Sequence, residues 1–370
     1  MNKTMKFAIL YNTEYYSETH GSPSSYYGQI LEQAQLAEEL GFDAVWFGEH
    51  HYSGYSFGSP AIMAMAAAHR TTTLKLGIGV SVVPLNHPIR LAEEYAMLDV
   101  LSEGRLEYGV GRGFLKYAYD LIGVDPEESH ARYHEGTELI VRAWTSDAPF
   151  SFSGKFWKLD NYSFFPRPLQ KPHPPIYACA TGTPGNFIWA GTRGYHLSTC
   201  LFLPFPERTK ANIELYRSAL RQSGYDPAER DIAGLYQMYC GEDEKEARVH
   251  GQIYASRYLK FFGALDQQCP WHPPSGQGRP YGTFVPEWVK NLARISRGFD
   301  GQSHEFMIGD PETLIKRIRR ANEYYGTNYL ILEVAQGGAP REYVIRSLER
   351  FAKYVMPAFT HSVQAISERL

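Results

Sequence analysis

The strongest constraint on the fold is a regular alternation of short apolar segments with longer segments of helical periodicity, repeated about eight times along the 370 residues. The apolar segments run continuously instead of alternating with polar residues, as in strands that are covered on both faces of a parallel sheet. Several helical segments begin at a proline and end at a glycine, which are the preferred residues at those positions. Eight strand–helix units in one chain predict a (β/α)₈ barrel with insertions.

An open, doubly wound sheet is the alternative architecture. In dinucleotide-binding sheets of that kind, a G-x-G-x-x-G motif follows the first strand, and no such motif follows the strand predicted at 6–12. The barrel is therefore favoured. Its predicted strands are 6–12, 45–47, 74–83, 105–110, 175–181, 196–202, 231–240 and 328–334.

Two segments interrupt the alternation, within what is predicted to be a single barrel domain over residues 1–370. In residues 150–174, aromatic residues first alternate with polar ones and prolines then accumulate, which predicts a hairpin followed by an irregular excursion from the sheet. Residues 263–304, between the seventh and eighth units, contain too many glycines and prolines for a regular element. Long loops inside compact domains are often lids, so this segment is expected to cover the carboxyl ends of the strands, although a surface insertion without a role is the alternative.

Charge and composition exclude several classes of partner. The formal net charge is -3 and the two signs are interleaved, which is against nucleic-acid binding. The first residues lead directly into a strand, and no apolar run is long enough to cross a bilayer. The four cysteines form no C-x-x-C pair, and three lie in predicted strands. We expect reduced core thiols and a cytoplasmic protein.

The second predicted strand ends in three consecutive polar residues, Glu49, His50 and His51. Ligands of barrel proteins collect at the carboxyl ends of the strands, and histidine titrates near neutral pH, so an acid–base site is indicated. A structural ion pair or a buried histidine with satisfied hydrogen bonds explains the same residues equally well. A metal site is disfavoured because adjacent histidines diverge on an extended strand and no H-E-x-x-H motif occurs.

Two further motifs follow the fourth and fifth strands. The run Gly109-Val110-Gly111-Arg112-Gly113 places an arginine, which can grip a phosphate with two parallel hydrogen bonds, among glycines that allow close approach. The run Thr181-Gly182-Thr183-Pro184-Gly185 lies where a helix begins, and the free amides of a helix N-terminus attract anions. A tight βα turn is the alternative for the second motif. Because the two units are neighbours, their combination predicts a phosphate site.

Taken together, these segments resemble the bacterial luciferase family of flavin-dependent monooxygenases, and they are especially similar to the luciferase α subunit and related alkanal monooxygenases. The resemblance extends over nearly the whole chain, with its pieces in the order and spacing of that family. The matching segments are 41–46 with 49–51, 83–93, 104–109 with 112–113, and 355–357.

The resemblance implies a TIM barrel that binds reduced FMN as a cosubstrate at the carboxyl ends of the strands. By position, His50 matches the catalytic histidine of the family, with Glu49 and His51 beside it. The cofactor-binding residues that it implies are Gly79 and Val80, joined by a cis peptide bond beneath the flavin ring, and, at the FMN phosphate, Arg112, Thr181, Gly182 and Thr183.

The implied reaction is a monooxygenation through a flavin peroxide, with O₂ as the second cosubstrate and with reduced FMN supplied by a separate flavin reductase. One oxygen atom passes to an aldehyde, a ketone or another small organic substrate. His50, with a pKa expected near neutral pH, transfers the proton of the peroxide or of the substrate adduct. The family also implies a homodimer through the second and third helices. Two alternatives remain, namely a deazaflavin-dependent hydride transfer on the same fold and a non-catalytic flavin-binding protein.

The chain departs from the luciferase pattern at three places, one of which is a segment after the fifth strand that is one residue longer. Gly111 stands where the luciferase α subunit has a cysteine, so light emission is not implied. Luciferase has a second arginine that contacts the phosphate, and its position corresponds to His130 or a residue near it in this chain. Arg132 is a possible substitute for that arginine. Candidates for lining the substrate pocket are the aromatic residues Tyr11, Tyr15, Tyr16, Phe57, Phe114, Phe202 and Trp271.

Overall fold

Eight parallel strands close into a barrel in the computed structural model, which describes residues 4–51, 55–203, 206–268 and 306–359. Each strand pairs with the next along the chain, and the eighth pairs with the first, so that the sheet has no edge. The predicted (β/α)₈ barrel is confirmed. The strands are β1 (Lys6–Tyr11), β2 (Ala44–Phe47), β3 (Lys75–Ile78), β4 (Leu106–Gly111), β5 (Ile176–Cys179), β6 (His196–Cys200), β7 (Ile232–Cys240) and β8 (Tyr329–Glu333).

A helix follows each strand on the outside of the barrel. The apolar faces of these helices pack against the outward-facing residues of the strands and form the main hydrophobic core. The helices are α1 (Pro23–Glu39), α2 (Pro60–Arg70), α3 (Pro88–Leu101), α4 (Ser129–Thr145), α5 (Pro184–Thr192), α6 (Pro206–Gln222), α7 (Pro311–Tyr325) and α8 (Arg341–Tyr354). Further helical segments are Ser17–His20, Lys116–Ile122, Glu244–Glu246, Ala247–Gly251 and Gln252–Gln268.

The third unit differs most from its prediction. The strand predicted at 74–83 is divided, because β3 ends where the peptide bond between Gly79 and Val80 is cis. The chain then pairs with β4 through Ser81–Val82 and continues into a single 3₁₀ turn, Val83–Leu85. The apolar character of the segment does not reveal this interruption.

The boundaries of two helices also differ from those that the sequence pattern predicts, which are 132–144 and 341–359. The helix after β4 begins at Ser129, three residues before the predicted start. The last helix ends at Tyr354 and not at 359, and the 3₁₀ turn Met356–Ala358 follows it. Pro357 cannot donate a backbone hydrogen bond, which limits the continuation of the helix.

The predicted hairpin is present as two antiparallel strands, Phe150–Ser153 and Lys158–Tyr162. Its tip is fixed to α4, because the Glu135 carboxylate accepts hydrogen bonds from the backbone amides of the tip. The first part of the predicted lid, up to residue 268, belongs to the helix Gln252–Gln268. The remainder, 269–304, lies outside the described residues. Cys179, Cys200 and Cys240 are free thiols, and Cys269 also lies outside the described residues.

The middle of the barrel is filled by the Trp46 side chain. A Cβ atom added to Gly77 would lie 2.1 Å from Trp46, and one added to Gly109 would lie 1.9 Å from the carbonyl oxygen of Ile78. Glycine at these two positions therefore gives the indole its space. The indole nitrogen donates a hydrogen bond to the Tyr329 hydroxyl at 3.1 Å, which satisfies a polar group that would otherwise be buried without a partner.

The mouth above Trp46 is asymmetric. Side chains alternate along a strand, so the next inward-facing positions toward the carboxyl ends lie two residues beyond the central layer. On β2, β3 and β4 these positions hold glycines, at Gly48, Gly79 and Gly111. On β1, β7 and β8 they hold polar residues, which are Asn12, Gln237 and Glu333. One half of the mouth is lined by glycines, and the other half is lined by polar groups.

Candidate active site

Glu49 ties the end of β2 to the segment that follows the cis peptide bond. Its side chain is buried, and its Oε2 accepts a 2.9 Å hydrogen bond from the backbone amide of Val82. Its Oε1 lies 3.0 Å from Nδ2 of Asn86 and 2.8 Å from Nε2 of His51. The hydrogen bond from Glu49 raises the pKa of His51, although burial opposes this rise. The carboxylate is thus engaged on both oxygens, which suits a positioning role.

His50 occupies a different environment from its neighbour His51. Its ring centroid lies 4.4 Å from that of Tyr55 and 5.6 Å from that of Phe114, and its backbone amide donates to the carbonyl of Phe57 at 3.0 Å. Burial, with a smaller contribution from His51, lowers the pKa of His50 to about 3. The imidazole is therefore neutral at physiological pH. The expectation that His50 is poised near neutral pH was wrong because the sequence does not show its apolar surroundings.

The cis peptide bond between Gly79 and Val80 lies at the position expected from the resemblance. The Val80 side chain also explains the departure at Gly111, since a Cβ atom at this position would lie 2.4 Å from Cγ2 of Val80. A cysteine at Gly111 would therefore collide with Val80. In this chain, valine occupies the space beside the glycine-lined half of the mouth.

Arg112 lies in a buried position between β4 and the start of α4, with only 8% of its surface exposed. Its Nη1 donates a 3.0 Å hydrogen bond to Oγ of Ser129, and its carbonyl oxygen accepts a hydrogen bond from the Tyr119 hydroxyl. Burial and the Arg112 charge lower the pKa of His130 to about 4. A neutral imidazole thus stands beside the guanidinium at this end of the barrel.

The N-terminus of α5 lies next to this arginine. Asn186, in the first turn of α5, interacts with the His130 side chain, and the carbonyl of Thr183 accepts a hydrogen bond from the Asn186 amide. Thr183 is the N-cap of α5, and Pro184 occupies the first helical position, as predicted. Thr181 and Gly182 form the turn that precedes the cap. A buried guanidinium and a helix N-terminus therefore face the same region, as phosphate binding requires.

Of the two residues considered for a second phosphate contact, His130 is the one that lies close enough to Arg112 to feel its charge. Arg132 donates to Oε2 of Glu128 at 3.0 Å, and its guanidinium lies 4.5 Å from the ring centroid of Phe156 on the hairpin. The Arg132 side chain is therefore held by Glu128 and by the hairpin.

A model of the family described as luciferase-like monooxygenase matches residues 5–328. The chain belongs to this family. It is 27% identical to the oxygenase component of a flavin-dependent trigonelline monooxygenase from Acinetobacter baylyi, over 97% of this chain and 96% of that protein. It is also 27% identical to an alkanal monooxygenase alpha chain from Aliivibrio fischeri, over 95% of this chain and 98% of that protein.

Structural comparison gives the same result. The monooxygenase RslO1 from Streptomyces bottropensis superposes with a TM-score of 0.81 at 27% identity, with 96% of this chain and all of that chain covered. The predicted luciferase-like fold is confirmed, and the protein is an enzyme of a flavin-dependent monooxygenase family. Within the described ranges, no helix combines the length and apolarity needed to cross a membrane, and no three His, Cys, Asp or Glu side chains are grouped as metal ligands.

An aromatic cluster lies beside His50, and the sequence predicted only some of its members. Phe114 and Phe202 belong to it, as predicted. Tyr11 and Phe57 were wrong candidates, because both are buried in the main core between barrel and helices. Tyr15 and Tyr16 pack around His20, and Trp271 lies outside the described residues. The cluster residues that the sequence analysis missed include Tyr55, Tyr258 and Phe261.

Tyr55 and Tyr258 were missed for different reasons. Tyr55 follows His51 by four residues and could have been found by proximity to the motif. Tyr258 lies more than 200 residues away, and its hydroxyl reaches the Tyr55 hydroxyl at 3.1 Å only because the helix Gln252–Gln268 crosses this end of the barrel. Its sequence neighbourhood contains no signal for the site.

Proposed function

We propose that the protein is an FMN-dependent monooxygenase that uses reduced FMN and O₂ to insert one oxygen atom into a small organic substrate. A separate flavin reductase supplies the reduced FMN. The observation that carries the proposal is the combination of a buried Arg112 beside the N-terminus of α5 with the glycine-lined half of the mouth next to His50.

The residues at this site fit a planar ring that carries a phosphate. Gly79 and Gly111 leave the surface above the barrel without side chains, and the peptide after Gly79 is turned by its cis geometry. Arg112 provides a fixed positive charge. The hydroxyl groups and amides of Thr181, Gly182 and Thr183 complete the phosphate site in this proposal. The reduced flavin, when bound, supplies the electrons and the oxygen chemistry.

The side chains of this chain then have separate tasks. His50, as a neutral imidazole, has one nitrogen that carries a proton and one that accepts a hydrogen bond, so it can take a proton from the substrate. Glu49 and His51 fix the backbone at Val82, next to the cis peptide bond. The aromatic cluster around Tyr55 and Phe114 limits the access of water to His50.

The principal alternative is hydride transfer with a reduced deazaflavin. Arg112 and the N-terminus of α5 would bind the phosphate of either cofactor, so this half of the site does not distinguish them. The oxygen requirement does distinguish them, because a hydride transfer consumes no O₂. A flavin-binding protein without turnover is the third candidate, and the retention of both His50 and Arg112 speaks against it.

The test is an anaerobic titration of the purified protein with photoreduced FMN, followed by rapid mixing with oxygenated buffer. We expect saturable binding and, after mixing, a return of oxidised flavin that is slower than for free reduced FMN. Oxidation at the rate of the free cofactor, or no binding, would count against the proposal. Binding of a reduced deazaflavin with anaerobic turnover would establish the alternative.

We also propose that the enzyme is a homodimer that associates through α2 and α3. Large apolar side chains on these helices are exposed, with Ile62 at 68%, Met97 at 50% and Leu101 at 60% of their surface. The two helices are neighbours on the barrel, so these side chains lie on one side of it. Contiguous exposed apolar surface of this kind is typical of protein–protein interfaces.

A further inference from the structure

The polar half of the mouth is formed by neighbouring strands. β7, β8 and β1 are adjacent in the barrel, and their inward-facing residues near the carboxyl ends are Gln237, Glu333 and Asn12. All three side chains are at least nine-tenths buried. Glu14, two residues after Asn12, is equally buried and is close enough for its charge to act on Glu333. We call these four residues the polar subsite.

The polar subsite contains more hydrogen-bond acceptors than donors. Among the described residues, Glu333 has no hydrogen-bond partner of normal geometry on either carboxyl oxygen, although Tyr258, Asn12 and Gln237 face it. The side-chain oxygens of Asn12 and Gln237 and Oε1 of Glu14 also lack partners. Against these five oxygens stand two donors, which are the amide nitrogen of Gln237, without a partner, and the proton that Glu333 carries while it is neutral. Buried groups in this state cost free energy unless a ligand or water satisfies them.

Aromatic rings separate the polar subsite from His50. The Tyr258 hydroxyl lies 3.5 Å from the side-chain nitrogen of Asn12 and 3.1 Å from the hydroxyl of Tyr55. The Tyr55 ring in turn lies 4.4 Å from the His50 ring and 5.3 Å from the Phe261 ring. A molecule bound beside His50 would therefore contact aromatic faces first and then the acceptor-rich group behind them.

We propose that the polar subsite, with Tyr55 and Tyr258, recognises the substrate and selects a small organic cation with a protonated or N-alkylated nitrogen. Aromatic faces attract cations, and carboxylates behind them add an opposite charge. A hydrocarbon or an aliphatic aldehyde has no hydrogen-bond donor and would leave most of these oxygens without partners. This inference gives the substrate class of the proposed monooxygenase and rests on that function.

The ionisation of Glu333 gives the proposal a measurable signature. Burial raises the pKa of Glu333 to about 8, and the charge of Glu14 contributes, while burial raises the pKa of Glu14 itself to about 7. At pH 7 Glu333 therefore holds its proton, and a bound cation would favour the carboxylate and release that proton. Affinity should rise between pH 6 and pH 9. The other ionisable groups in reach are Tyr55, Tyr258 and Cys200, with Arg257 acting on Glu14.

The test compares choline with 3,3-dimethylbutan-1-ol, its neutral isostere, by isothermal titration calorimetry at pH 7. Two buffers of different ionisation enthalpy report the protons released. We expect choline to bind about tenfold tighter than the isostere, with release of up to about one proton. Glu333→Gln should abolish both the preference and the proton release. Glu207→Gln, on the exposed first turn of α6, is the matched control and should leave both unchanged.

Equal binding of choline and its isostere, or a choline preference that survives in Glu333→Gln, would overturn the proposal and indicate that the subsite holds only water. If Glu333→Gln does not fold, Glu14→Gln serves in its place, and it should reduce the preference. The titration with reduced FMN is run on the same protein. Binding of FMN without a cation preference refutes the subsite alone, whereas a cation preference without FMN binding refutes the monooxygenase and retains the subsite.

Discussion

His50 and His51 are adjacent in the chain, yet their surroundings drive their pKa values in opposite directions. His51 pairs with the Glu49 carboxylate, which favours its protonated form. His50 packs against Tyr55 and Phe114, where burial disfavours the charged form. The two side chains diverge, as expected for consecutive residues of an extended segment. His51 therefore supports the backbone through Glu49, whereas His50 is the histidine that faces the substrate in the proposed function.

Replacement of His50 by alanine should lower kcat by about 10² to 10⁴-fold, the usual contribution of a general acid–base group. Binding of reduced FMN should change by no more than about threefold, because the phosphate contacts are unaffected. Stopped-flow turnover and anaerobic titration measure the two quantities. His69→Ala, at the exposed end of α2, is the control. Turnover at the wild-type rate in His50→Ala would show that another group manages the proton.

The pH profile supplies a second check on His50. Since its pKa is about 3, the neutral form persists throughout the range in which an ordinary histidine titrates. Activity at saturating substrate should show no inflection that His50→Ala removes between pH 5 and pH 8. An inflection near pH 6.5 that disappears in this variant would contradict the assignment.

Replacement of Arg112 tests the proposed phosphate site, because it should affect binding of the FMN phosphate and not binding of the flavin ring. Arg112→Ala should weaken FMN binding by about 10 to 100-fold, the range for hydrogen bonds to a charged group. Riboflavin, which has the same ring but no phosphate, should bind as it does to the wild type. Arg132→Ala is the matched control, because Arg132 contacts Glu128 and Phe156 and should leave the FMN affinity unchanged. Equal losses for FMN and riboflavin would place Arg112 outside the phosphate site.

At the scale of elements, the two ends of the barrel have different functions. The carboxyl ends of the strands carry the candidate site, whereas the amino ends are joined by a buried polar network around Asp231. Its carboxylate lies 2.6 Å from Nζ of Lys6 and accepts hydrogen bonds from the Tyr177 hydroxyl at 2.9 Å and from Nδ2 of Asn328 at 2.7 Å. Although burial opposes ionisation, the charge of Lys6 holds the pKa of Asp231 well below its usual range. The network thus connects β1, β5, β7 and β8.

Asp231→Asn should lower the free energy of unfolding by up to about 3 kcal/mol, because it removes the closer of the two carboxylates beside the partly buried Lys6 ammonium and leaves only Glu107, at 3.9 Å. The contribution of a depressed pKa is complete above the ordinary value for aspartate and is lost as pH falls. The difference between wild type and variant should therefore narrow below about pH 4. Urea denaturation at pH 7 and at lower pH measures this difference in the free energy of unfolding.

The control for this prediction is Asp147→Asn. Asp147 forms an ion pair with Arg167 at 2.7 Å, but its side chain is almost fully exposed. Exposed ion pairs contribute about 0–1 kcal/mol, so this variant should be nearly as stable as the wild type. Equal effects of the two substitutions would show that the Asp231 network does not stabilise the barrel.

At the scale of the whole molecule, the large apolar side chains exposed on α2 and α3 are the surface on which the proposed dimer rests. Association of two copies through this face would remove Ile62, Met97 and Leu101 from water. An interface of the same surface patch on both subunits generates a closed dimer.

The double variant Met97→Lys, Leu101→Lys should convert a dimer to a monomer, because lysine pairs repel one another across a two-fold interface. Sedimentation equilibrium should give twice 42.1 kDa for the wild type and 42.1 kDa for the variant. Leu215→Lys, at an exposed position on α6, should remain dimeric. A wild type of 42.1 kDa at micromolar concentration would exclude the proposed homodimer.

The sequence by itself determined the barrel, because each strand–helix unit has a local periodicity and eight such units can close only in a few ways. It also located Glu49, His50, His51 and Arg112, since each ends a strand and strand ends meet at one face of the barrel. The cis bond between Gly79 and Val80 was available from family resemblance, whereas the apolar run 74–83 by itself predicted an uninterrupted strand.

Only the tertiary structure decided the electrostatics and the polar subsite. The neutral state of His50 depends on Tyr55 and Phe114, which burial brings against it. The polar subsite joins Asn12 to Glu333 across more than 300 residues of sequence, and these residues become neighbours because β8 pairs with β1. The pKa of His50 and the lack of hydrogen-bond partners in the polar subsite depend on residues that are distant in sequence. These residues come together only when the barrel closes.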